Sequence, residues 1–105
     1  MYLLRRVSVA KQWKEWEAAG LLYKLAKAYE KVGRSECRVY MSGEGTPGPA
    51  RHIYVDWVTE KIEAPNNAEL PQEVFDIWEQ LKPLLEEYYM EFYELMTQEK
   101  IEFTG

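Results

Sequence analysis

The sequence predicts an α+β domain in which a four-stranded antiparallel sheet carries two helices on one face, the ferredoxin-like βαββαβ arrangement. Three observations predict it. Residues 2–9, 35–42 and 51–59 alternate apolar and polar side chains at the period of strands. Residues 10–32 and 70–100 repeat apolar side chains at helical steps of three and four. Ile101-Glu102-Phe103 then reads as a short terminal strand.

In the first strand Leu3, Val7 and Val9 fall on one side with Arg5, and Tyr2, Leu4, Arg6 and Ser8 on the other. The first helix spans 10–32 and is closed by Gly33, which suits a left-handed cap. Its main apolar stripe is Ala18, Leu22, Leu25, Tyr29 and Val32; Trp13, Trp16 and Tyr23 fall on the opposite face. Gly20 between the two sets offers a place to bend, so that both reach one core. The second strand sets Cys37, Val39 and Met41 against Arg38, Tyr40 and Ser42. The run at 43–49, GEGTPGP, is a hairpin connection; no Lys-Ser/Thr follows it, as a phosphate loop would require. The third strand sets Ile53, Val55 and Trp57 against His52, Tyr54, Asp56 and Val58. A polar connection over 60–69 follows, with a turn or cap at Pro65-Asn66-Asn67.

Val74, Trp78, Leu81, Leu85, Tyr88, Phe92 and Leu95 then predict one long helix of about 40 Å. Pro71 suits its first turn. Pro83 inside it costs about 3 kcal/mol and predicts a kink.

The 105 residues make one domain, 1–105, with no internal repeat or linker. A net charge of −5 argues against phosphate-rich nucleic acids and acidic membranes. No apolar run approaches the roughly 20 residues that span a bilayer, and the single cysteine permits no internal disulfide. A cytoplasmic protein is expected. With one Cys and one His, a zinc site within one chain is not expected, and no dinucleotide fingerprint is present, so no cofactor is expected.

The apolar strand sets meet the helices in this reading. The other sheet face carries Tyr2, Leu4, Arg6, Arg38, Tyr40, His52, Tyr54, Asp56 and Val58. Aromatic and ionisable groups mixed in this way suit a partly closed space, such as two sheets facing each other across a homodimer. His52, the only histidine, is the candidate for proton transfer, with Tyr54 and Tyr40 beside it; the alternative is a structural strand-end histidine. Asp56 lies four residues along the strand, about 13 Å away, too far for a dyad with His52. Arg6 and Arg38 suit a carboxylate or an enolate-like anion; the alternative is that they pair with Asp56 or with acids of a partner. Trp13, Trp16 and Tyr23 either wall a pocket for a flat organic ligand or simply pack. Cys37 reads as inert core.

The element order, the helix closed by Gly33, and RVYMSGEGTPGPARHIYVDWV passing into a polar connection and a long helix resemble the dimeric α/β-barrel superfamily. Within it the chain looks most like small NIPSNAP-like proteins of undefined activity, and less like the cofactor-independent monooxygenases. The resemblance implies a homodimer packed sheet to sheet, with a small aromatic or hydrophobic ligand and cofactor-independent chemistry. It brings no catalytic motif that maps onto these residues. A non-catalytic binding or assembly module is the alternative.

Overall fold

The computed structural model describes residues 1–62 and 70–104. Strand β1 (Tyr2–Ala10) leads to helix α1 (Glu15–Glu30), followed by β2 (Arg38–Ser42) and β3 (His52–Thr59). Helix α2 (Gln72–Leu81) then passes through a single 3-10 turn (Lys82–Leu84) into β4 (Leu85–Glu94), and α3 (Gln98–Thr104) follows. The four strands form one sheet in the order β2-β3-β1-β4, every neighbouring pair antiparallel. This is the expected ferredoxin-like topology, with α3 in addition among the described residues. The turn expected at Pro65-Asn66-Asn67 lies outside the described residues.

The cap on α1 behaves as Gly33 predicts. Gly33 takes φ +109°, its N–H bonds to Glu30 O at 3.2 Å, and the Arg34 N–H bonds to Tyr29 O at 3.2 Å. This is the reciprocal pair of a Schellman cap. The helix begins later than its apolar pattern suggests, because Trp13 sits at φ +69° and its N–H goes to the Glu15 carboxylate. It then runs unbroken through Gly20. Ala18, Leu22 and Leu25 are buried as expected, while Trp13, Trp16 and Tyr23 stand exposed.

The long helix over 70–100 is not formed. It stops at Leu81, ahead of Pro83, and residues 85–94 are a strand. Tyr88 and Phe92 are four apart, a spacing that fits a helical stripe and also one face of a strand. Tyr88, Met90 and Phe92 share a strand face, opposite Ser8, Arg6 and Leu4 of β1. Pairing along the whole free edge of β1 satisfies backbone groups that a helix would leave unpaired on that edge. The terminal strand expected at 101–103 is correspondingly absent, and the segment is helical.

The sides of β1 are also exchanged relative to the sequence reading. Leu4 lies opposite Trp57, Arg6 opposite Val55 and Ser8 opposite Ile53, so these residues share the face beneath the helices. Leu3, Arg5, Val7 and Val9 share the open face with Val58, Asp56, Tyr54 and His52. Branched apolar residues alone suggest the reverse. What decides is space: small, fully buried Ser8 and Ala10 lie beneath the helices, and Val7 lies between Tyr54 and Tyr89 in the register. The core joins Leu4, Ile53, Val55 and Trp57 to Leu22 and Leu25 of α1 and Val74, Ile77 and Leu81 of α2.

Candidate functional site

A cavity of about 820 Å³ opens on the helix side of the sheet. Its floor is Leu4, Trp57, Met90 and Phe92, one residue or more from each of β1, β3 and β4. Tyr29 and Arg34, at the end of α1, make one wall, and residues 59–62 make another. A volume of this size is in the range of small-molecule sites, and such sites are mostly apolar with a few placed polar groups.

The cap places the polar groups. Gly33 turns the chain so that Arg34 folds back across the sheet, and its guanidinium carbon lies 3.8 Å from the ring centres of both Tyr29 and Trp57. A planar cation between two aromatic faces is held by dispersion and by the ring quadrupoles. The Ser35 hydroxyl donates to Val58 O and fastens the turn to β3. Arg6 reaches the same cavity from β1, its guanidinium 5.6 Å from the Trp78 ring, which in turn meets Tyr88 edge-on at 5.0 Å. Arg6 also borders a smaller cleft of about 220 Å³ between Leu25, Leu70, Val74 and Phe75.

Burial pushes both guanidinium groups below their ordinary pKa, and the charge of Arg6 pushes Arg34 further down. Burial pushes the Cys37 thiol up, so the neutral, unreactive form is favoured. The Cys37 N–H donates to the Glu30 carboxylate at 2.7 Å; that bond, then Lys27, holds Glu30 below its usual pKa.

The open face carries the second cluster. Arg5 and Asp56 are cross-strand partners with an ion-pair distance of 3.6 Å. Arg5 also lies over Tyr54 at 5.6 Å and Tyr93 at 5.7 Å. Tyr54 pairs with Tyr40 across β2 and β3, and its hydroxyl lies 3.2 Å from the Ser42 hydroxyl. His52 sits at the strand end, its Nδ1–H donating to Ala50 O at 2.8 Å, with its ring 6.1 Å from Tyr54. Arg38 lies opposite Asp56.

The structure places His52, Tyr54, Tyr40, Arg38 and Asp56 on one sheet face, with Arg5 there in place of Arg6. Arg6 belongs to the cavity on the other side, because the register of β1 puts it there. Trp13, Trp16 and Tyr23 lie outside that cavity. Sequence reasoning missed Arg34, Tyr29 and Trp57 as a unit. The available signal was Gly33: the residue after a left-handed cap is the one thrown back over the helix end. Among the described residues, no three His, Cys, Asp or Glu side chains converge as a metal site would need, and no helix is long and apolar enough to cross a membrane.

No family profile and no curated protein matches the sequence. Solved structures do share the fold. Protein Atu4242 from Agrobacterium tumefaciens aligns with a TM-score of 0.74 at 14% identity, over 93% of this chain and 96% of that one. A NIPSNAP family protein from Agrobacterium tumefaciens strain C58 gives 0.69 at 16% identity, over 92% and 93%. An antibiotic biosynthesis monooxygenase gives 0.62 at 10% identity, over 92% and 100%. The NIPSNAP-like resemblance read from the sequence is met in the fold.

Proposed function

We propose that this protein binds a flat, largely apolar small molecule in the helix-side cavity. The observation that carries the reading is the cavity itself, about 820 Å³ between Leu4, Trp57, Met90 and Phe92 and the capped end of α1. Aromatic and thioether side chains there offer stacking surface, which favours planar ligands over compact polar ones. The solved antibiotic biosynthesis monooxygenase that shares the fold supports small-molecule chemistry on it. The test is native mass spectrometry of the purified protein, followed by thermal shift with neutral bicyclic aromatics. A bound mass or a ligand-dependent rise in Tm is expected, and Met90→Trp, which fills the floor, should abolish it. No retained mass and no shift with any probe overturns the reading.

The open face favours a second reading, a homodimer packed sheet to sheet. Tyr40, Val58, Tyr89 and Tyr93 are all exposed on that face. A catalytic role for His52, Tyr54 and Tyr40, or anion binding by Arg38, belongs to this reading, because those groups are enclosed only when a second sheet lies over them. The same dimer without a ligand is a pure assembly module. Loss of turnover or binding on changing His52 and Tyr54 separates the two.

A further inference from the structure

Granted a ligand in the helix-side cavity, as proposed above, we infer that it is an organic carboxylate whose anionic group seats against Arg6 and Arg34. Both arginines line that one cavity. Neither makes an ion pair among the described residues. The contrast within the same protein is sharp. Arg5 is matched to Asp56 and Arg51 to Glu86, so this chain supplies carboxylates to arginines elsewhere on the sheet.

Two like charges drawn out of water beside each other are costly unless an anion joins them. The local acids do not do this. Glu30 is engaged by the Cys37 N–H and Lys27, and Glu60, which lines the cavity, is 79% exposed and lies 3.8 Å from the N-terminal ammonium. The aromatic faces hold the two cations in place without neutralising them: Tyr29 and Trp57 clamp Arg34, and Trp78 backs Arg6. Guanidinium groups left in this way present N–H donors toward a planar, bidentate acceptor, which a carboxylate is. The apolar floor beyond them takes the rest of the molecule. Charge pairing at one end and stacking at the other fix one orientation.

Isothermal titration calorimetry with naphthoate and its neutral isostere naphthamide tests this. The wild-type protein should bind naphthoate at least about tenfold more tightly than naphthamide. Arg6→Met and Arg34→Met keep the apolar stem and remove the charge. Each should cut the preference, and the double variant should abolish it, binding naphthoate and naphthamide alike. Equal affinity of the wild type for both probes overturns the carboxylate inference and leaves the cavity reading standing. A preference that survives in the double variant overturns it as well, since the anion then binds elsewhere. Binding of neither probe overturns the cavity reading and this inference with it. Should Arg6→Met fail to fold, Arg34→Met against wild type decides alone.

Discussion

The Arg34 guanidinium lies between the rings of Tyr29 and Trp57, 3.8 Å from the centre of each. One ring comes from the last turn of α1 and the other from the middle of β3, so this contact joins helix to sheet. It also forms part of the wall of the cavity. The geometry depends on one residue upstream, because Gly33 supplies the positive φ that reverses the chain.

Gly33→Ala should therefore act on stability and on the site together. A Cβ at Gly33 meets open space, so its cost is the strain of φ +109°. About 1–2 kcal/mol is expected, read as a lower urea midpoint with unchanged slope. Naphthoate affinity should fall with it, as Arg34 loses its fixed position. A substitution that lowers stability and leaves that affinity intact separates the cap from the cavity.

Glu30 should make stability depend on acid pH. Folding holds its carboxyl below the unfolded value of 4.5, first through the Cys37 N–H and then through Lys27. A depressed carboxyl stabilises the fold above the unfolded pKa, and the contribution is lost as pH falls through the lower folded pKa. Wild type should thus exceed Glu30→Gln in urea midpoint near neutral pH. The gap should close progressively as the pH drops below 4.5. A pH-independent gap would assign the loss to packing instead of charge.

The open sheet face should carry a homodimer. Sedimentation velocity of the wild type is expected to show a dimer. Tyr40→Asp combined with Tyr93→Asp places charge on two exposed aromatics of that face and should shift the population to monomer. The far-UV circular dichroism should stay unchanged. A wild type that sediments as a monomer at every concentration rules the arrangement out.

The fold class, the three strands before residue 60 and the closure of α1 are legible in the residues alone. Each rests on a local cause: a period-two alternation, or a glycine where the chain must take positive φ. The sequence also put His52, Tyr54 and Asp56 on one side of β3, and Arg38 and Tyr40 on one side of β2, because side chains within a strand alternate whatever lies around them. Tertiary structure decided the rest. Tyr88 and Phe92 suit a helix and a strand alike, and only the unpaired edge of β1 made them strand. Arg5 and Arg6 are neighbours of one chemical type. Which of them met Asp56, and which entered the cavity beside Arg34, was decided by the register of β1 against β3, a long-range pairing that no local pattern records.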